Sequence, residues 1–199
     1  MWVFINLFVT DFQGIVLLKN ANNALPLSGK PVVAVIGPNG DATGTMQGNY
    51  AGKAPYLISP LDGIKTYTSA SFAQGCDVAC GSTVGFAAAV SLAQAADVVV
   101  VIVGLDQHQE SEGHDREILS LPGHQQDLIN AVTAAAHKPI VVVVMSGGPV
   151  DLLAVKQDPR VGAIIFCGYP GQSGGQVCSS IVKYSCYTLL PLFPNYCYS

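Results

Sequence analysis

Near the middle of the chain stands the run Val98-Val99-Val100-Val101-Ile102-Val103, in which every residue is β-branched. Such residues favour strands, and a run without alternating polar residues is typical of a strand buried on both faces of a parallel sheet. Three further runs have the same character: Val32–Ile36, Ile140–Met145 and Val161–Phe166. We therefore predict four buried strands that share one parallel sheet.

Helix-like segments lie between these runs. Thr83–Ala96 carries apolar residues at helical spacing, and Ser82 or Thr83 is predicted to be its N-cap. Gln125–Ala136 has an apolar face and is followed closely by Pro139. This rhythm predicts an α/β fold, a three-layer sandwich with a mostly parallel sheet and helices on both faces.

Composition excludes several classes of protein. The chain has 199 residues, is 50% hydrophobic and carries a net charge of −4, which fits one packed core and argues against a nucleic-acid surface. No apolar run reaches the roughly 18 residues of a membrane-spanning helix. Residues 1–13 are apolar at their start, but they lack the positive charge and the small-residue cleavage site of a convincing signal peptide.

The cysteines allow one local interpretation. Cys76 and Cys80 are predicted to form a small disulfide loop if the protein lies in an oxidising compartment. As half of a metal site they would need two further ligands at matching spacing, so we predict no zinc site. Cys167 ends an apolar run and is predicted to be a small buried side chain.

Turn-rich loops follow the four predicted strands. Right-handed crossovers would place the loops after Ile36, Val103, Met145 and Phe166 along one rim of the sheet, where ligands of open α/β sheets bind. No glycine-rich nucleotide-binding motif opens a helix, so a nucleotide site is not predicted.

The most charged part of this rim is Glu110-Ser111-Glu112-Gly113-His114-Asp115-Arg116, which holds three acids and an arginine in a chain only 11% charged. A carboxyl group there could be a general acid, because burial and neighbouring charges set its protonation. The alternative is a solvated loop whose Asp115 and Arg116 pair with surface groups.

Several motifs, taken together, resemble one family. The chain resembles the C-terminal α/β-sandwich domain of family 3 glycoside hydrolases, closest to the β-xylosidase and α-arabinofuranosidase branch. The motifs that carry the resemblance are Gly14–Asn20, Leu25–Leu27, Val33–Pro38, Gly48–Gly52, Glu110–Gly123, Ser146–Asp151 and Gly168–Gln176.

The resemblance implies a secreted, exo-acting retaining glycosidase of xylan and carbohydrate catabolism, with a β-linked xylo-oligosaccharide or a related oligosaccharide as substrate. Retaining hydrolysis uses two carboxyl groups about 5–5.5 Å apart. In the family, a preceding barrel domain supplies the nucleophilic aspartate and this domain supplies the acid/base glutamate. No cofactor or metal is implied.

Within the charged stretch the resemblance favours Glu110 as the acid/base residue, with Glu112 as the alternative. Asp115 and Arg116 are expected to position the loop through a charge-assisted pair. Substrate-binding residues are not assigned, although Tyr50 and Tyr169 could stack on sugar rings or simply pack. Three histidines are interpreted as polar loop residues: His108, His114 and His124.

The chain departs from the family pattern at both ends. We assign residues 1–13 to a foreign-looking leader, 14–177 to the family 3 domain and 178–199 to an atypical tail. The sandwich is therefore expected to be incomplete at its C-terminus, and the chain, without a barrel, to be inactive alone. Two alternatives stay open: a non-catalytic module that binds carbohydrate or a partner protein, and an inactive product of a truncated gene model.

Overall fold

The computed structural model describes residues 14–184, which form one six-stranded sheet with helices on both faces. The strands are β1 (Val16–Asn20), β2 (Val33–Ile36), β3 (Ala70–Ala73), β4 (Val98–Gly104), β5 (Ile140–Met145) and β6 (Val161–Phe166). The α-helices are α1 (Pro60–Lys65), α2 (Phe86–Ala95), α3 (Gln125–Ala135), α4 (Leu153–Gln157) and α5 (Gly174–Tyr184). Two short 3₁₀ helices cover Ala21–Asn23 and Thr43–Thr45.

The sheet confirms the predicted fold class. Its strand order is β1-β6-β5-β4-β2-β3, with β1 antiparallel to β6 and every other pairing parallel. The four predicted strands agree with β2, β4, β5 and β6 to within one residue at each end. Because these four are mutually parallel, their carboxyl ends share one edge of the sheet.

Each face of the sheet carries its own apolar core. Alternate residues along β4 point to opposite faces: Val101 packs with Leu128 and Val132 of α3, whereas Val100 packs with Leu61 and Ile64 of α1. Both faces are therefore buried, which explains why the strands contain no polar alternation. The helix α5 packs against α1.

The predicted N-cap of the second helix is wrong. The helix α2 begins at Phe86, and its N-cap is Gly85. The backbone of Gly85 lies against another loop, where an added Cβ would be 2.2 Å from the carbonyl oxygen of Gly75. Ser82 and Thr83 precede the helix, and the backbone carbonyl oxygen of Thr83 accepts a hydrogen bond from the Phe86 amide. The close approach of Gly85 to Gly75 therefore overrides the local preference for a hydroxyl cap.

The ends of the chain lie largely outside the description. The predicted leader, residues 1–13, and residues 185–199 of the predicted tail fall outside the described residues. The predicted incompleteness of the sandwich at its C-terminus concerns residues outside the described range as well. The helix α5 runs to Tyr184 and thus includes the first residues of the segment assigned to the tail.

Candidate active site

The candidate site is built where β4 and β5 end. Gly104, the last residue of β4, has a φ of +144°, and a Cβ there would lie 1.9 Å from the carbonyl oxygen of Met145. Only glycine fits this close approach. The chain then turns over Asp106, whose carbonyl oxygen accepts from the Glu110 amide at 3.1 Å, and so delivers Glu110 to the turn that follows β5.

Glu110 is held by donors on both carboxylate oxygens. The amides of Gly147 and Gly148 donate to Oε1 at 2.6 and 3.2 Å, and the Gly148 amide also lies 3.1 Å from Oε2. The hydroxyl of Tyr169 donates to Oε1 at 2.7 Å. In each of these contacts Glu110 is the acceptor, as an ionised carboxylate is.

Arg116 completes the set of donors around the Glu110 carboxylate, which we call the Glu110 nest. Its Nε lies 3.5 Å from Oε2 of Glu110, and the two side chains are 12% and 16% exposed, respectively. Its Nη2 donates to the carbonyl oxygen of Pro149. Arg116 therefore connects its loop to Glu110 and to the turn after β5. The expected pair with Asp115 is not formed within residues 14–184, and Asp115 is exposed.

Tyr169 links the nest to two glycine-rich turns. A Cβ at Gly147 would lie 2.9 Å from its ring, and one at Gly48 would lie 3.3 Å away. Burial, and then the hydrogen bond to the Glu110 carboxylate, raise the pKa of Tyr169 above its usual range. The ring is thus packed between loops, and its hydroxyl serves Glu110.

Glu112 lies in a contrasting environment. Ser111 and His114 exchange backbone hydrogen bonds of 3.2 and 2.9 Å, which makes a tight hairpin with Glu112 and Gly113 at its tip. Gly113 has a φ of +72°, a conformation that suits glycine. The Glu112 side chain is exposed, and the hydroxyl of Tyr50, itself 81% exposed, donates to its Oε2.

The cysteines and histidines singled out in the sequence have varied environments. Cys76 and Cys80 form a disulfide, and Cys167 is buried. His108, His114 and His124 are exposed, and His124 pairs with Asp127. Among the described residues, no three His, Cys, Asp or Glu side chains are grouped to hold a metal ion.

None of the helices in that same part of the chain is long and apolar enough to cross a membrane.

Sequence reasoning missed the donors that surround Glu110. Gly147 and Gly148 stand out in the sequence only as a turn after β5, and the sequence indicates for Tyr169 only stacking on sugars or ordinary packing. Their partner lies 37, 38 and 59 residues away, a separation that no local pattern reveals. The Gly-Gly pair at the carboxyl end of β5 nevertheless indicates a place where a carboxylate can bind, because successive backbone amides in such a turn bind anions.

The arrangement offers two carboxyl groups with different capacities. Glu110 is surrounded by donors and anchors its loop, whereas Glu112 stands at an exposed tip with one recorded hydroxyl partner. The first geometry suits a fixed negative charge. The second leaves a carboxyl group accessible to an incoming ligand.

Comparison with known proteins gives a consistent result. The sequence model of the glycosyl hydrolase family 3 C-terminal domain matches residues 15–183. Beta-D-xylosidase 1 of Arabidopsis thaliana is 53% identical over 173 residues, which is 85% of this chain and 22% of the relative. Exo-1,4-beta-xylosidase xlnD of Aspergillus awamori is 46% identical over 178 residues, again 85% and 22%.

A solved structure agrees with these matches. The GH3 exo-beta-xylosidase XlnD, in complex with a xylobiose aziridine activity-based probe, superposes with a TM-score of 0.84 at 43% identity. The superposition covers 88% of this chain and 23% of that one. The chain therefore spans about a quarter of the length of the proteins it matches.

Proposed function

Because the chain belongs to the family 3 glycosyl hydrolases, as their C-terminal domain, we propose that it forms the acid/base half of a β-xylosidase active site. Its substrate would be a β-linked xylo-oligosaccharide, and its role a contribution to xylan breakdown outside the cell. The second carboxyl group, a nucleophilic aspartate, would come from a barrel domain outside this chain. The observation that carries the proposal is the pair of carboxyl groups on the loop after β4.

Within this proposal the acid/base residue is Glu112. A general acid must reach the leaving oxygen and must carry a proton in one half of the reaction and release it in the other. Glu112 meets the first requirement, since it is exposed at the tip of a hairpin. Its hydroxyl partner, Tyr50, can act as donor or acceptor and so tolerates either protonation state.

Glu110, which the resemblance favoured, is assigned the anchoring role. Protonating it would place an O–H among the amides of Gly147 and Gly148, the Tyr169 hydroxyl and the Arg116 guanidinium. The two amides and the guanidinium can only donate, so a protonated oxygen of Glu110 would lose its bonds to them, whereas the Tyr169 hydroxyl could turn to accept. Glu110 as the acid stays a prediction that the experiment below addresses directly.

The test uses a chimera in which residues 15–183 replace the matching segment of the Arabidopsis beta-D-xylosidase 1. We expect Glu112→Gln to lower kcat/KM on xylobiose by about 10²–10⁴-fold. The loss of kcat/KM should be much smaller on an aryl β-xyloside, because a phenolate leaves without a proton in the first half of the reaction. Glu110→Gln should instead reduce both activities alike and lower the melting temperature.

The reverse pattern, with the leaving-group dependence in Glu110→Gln, would make Glu110 the acid. If neither variant depends on the leaving group although the unmodified chimera is active, this domain supplies no general acid. The binding-module alternative would then account better for the loop.

A further inference from the structure

Gln125 is a fully buried polar side chain outside the carboxylate cluster. It is the first residue of α3 and is 0% exposed. Its Oε1 accepts from the Gly104 amide at 2.9 Å, and its Nε2 donates to the Gly104 carbonyl at 2.8 Å. The second Nε2 proton goes to the Val78 carbonyl at 2.6 Å.

This contact replaces a missing strand neighbour. The register of β2 against β4 ends at the pair Ile36–Val101, whereas β4 continues to Gly104 beside β5. The N–H and C=O of Gly104 that face the β2 side would therefore be buried without partners. The primary amide of Gln125 presents one acceptor and one donor, as a peptide unit of a neighbouring strand would.

The same side chain joins this strand end to the disulfide loop. Val78 lies inside the loop closed by Cys76 and Cys80. The His124 amide donates to the Cys80 carbonyl at 3.0 Å. The disulfide loop therefore contacts the start of α3 twice, through the Cys80 carbonyl at His124 and through the Val78 carbonyl at Gln125.

We propose that Gln125 is a positioning residue for the acid/base loop, and that the Cys76–Cys80 loop acts through it. Gly104 is the last strand residue before the segment that carries Glu110 and Glu112. Without the amide, two buried backbone groups of Gly104 and one of Val78 lose their partner, so the start of the loop must move to regain hydrogen bonds. The catalytic part of this inference rests on the proposed function.

The first test measures hydrogen exchange in the 199-residue chain. Gln125→Met keeps the length of the side chain and removes its polar atoms. We expect exchange across residues 104–116 to rise by about tenfold or more, with β5 unchanged. Gln126→Met is the matched control, because the Gln126 side chain donates to Asn130 on the helix surface, and it should leave exchange as it is.

The second test measures turnover in the chimera. We expect Gln125→Met to lower kcat about tenfold or more while KM stays within about twofold, because a displaced acid impairs chemistry more than binding. Gln125→Glu should recover activity as the pH falls, since a protonated carboxyl again offers one acceptor and one donor to Gly104. A purely structural role would not produce that recovery.

Exchange and turnover in Gln125→Met that match Gln126→Met would overturn the inference, as would a Gln125→Glu variant whose loss does not depend on pH. An inactive unmodified chimera would count against the proposed function alone, and the exchange data would still decide the role of Gln125. An active chimera with normal Gln125 variants would remove this inference and leave the proposed function standing.

Discussion

At the scale of single residues, two acids two positions apart reach opposite environments. Glu110 meets amides, a hydroxyl and a guanidinium, and Glu112 meets solvent and Tyr50. The two residues cannot be told apart by type or by local position, because both are glutamates in one loop. Their environments differ because the turn after β5 and the segment after β6 supply hydrogen-bond donors to Glu110.

Removing one donor tests how much the nest contributes to stability. Tyr169→Phe deletes the hydroxyl that donates to Glu110 at 2.7 Å and keeps the packed ring. Hydrogen bonds to charged groups contribute about 1.5–3 kcal/mol, so we expect the free energy of unfolding in urea to fall by that order. Tyr56→Phe, at a residue 42% exposed, is the control and should change little. Equal effects of the two substitutions would contradict the assignment.

The tyrosines also predict how stability depends on pH. Burial raises the pKa of Tyr67 to about 12, whereas in the unfolded chain it is about 10. The unfolded state therefore releases this proton first, so the contribution of Tyr67 to stability is constant below about pH 10 and is lost as pH rises toward 12. Urea unfolding across this range should show a shallower fall in Tyr67→Phe than in the unmodified chain. An identical slope in both proteins would argue against the raised pKa.

At the scale of elements, the contact between α1 and α5 depends on two glycines. A Cβ at Gly63 would lie 2.0 Å from the Gly175 carbonyl oxygen, and one at Gly175 would lie 2.1 Å from the Ser59 carbonyl oxygen. Both obstacles are backbone, so an added methyl group must push the helices apart. The short helix α1 can therefore pack this closely against α5 only because both positions are glycine.

We expect Gly63→Ala to lower the free energy of unfolding by about 1–3 kcal/mol through overpacking. Gly44→Ala serves as the control, because no atom lies within 4 Å of its added Cβ, and it should change stability by less than about 0.5 kcal/mol. Thermal unfolding of the two variants checks this. A stabilised Gly63→Ala variant would show that the helices have room to separate.

The disulfide loop is the second element with a measurable contribution. Cys76 and Cys80 are four positions apart, and closing so short a loop contributes about 2 kcal/mol in the chain-entropy view. We expect the double variant Cys76→Ser with Cys80→Ser to unfold at a lower temperature. An unchanged melting temperature would show that the hydrogen bonds from Gln125 and His124 hold the loop without the covalent bond.

At the scale of the whole molecule, the chain holds one half of the proposed chemistry. Retaining hydrolysis needs a second carboxyl group about 5–5.5 Å from the acid, and the proposal assigns it to another domain. We therefore expect the 199-residue chain alone to hydrolyse no aryl β-xyloside, and the chimera to do so. Turnover of xylobiose by the isolated chain, abolished by Glu112→Gln, would place both groups within it.

Much of the architecture followed from local pattern. The β-branched runs gave β2, β4, β5 and β6 because strands buried on both faces must be apolar along their whole length. The parallel arrangement then placed the charged loop at the carboxyl edge of the sheet. The strands β1 and β3 were not predicted because they are short and partly exposed edge strands, and α1 because six residues give little periodicity.

The sequence alone was therefore enough for the fold class, the family and the loop that carries the acids. Only the tertiary structure showed that Glu110 is anchored by Gly147, Gly148, Tyr169 and Arg116 while Glu112 stays accessible. The reason is physical. Strand and helix patterns record interactions between near neighbours in the chain, whereas the environment of a carboxyl group is set by groups that folding brings from up to 59 residues away.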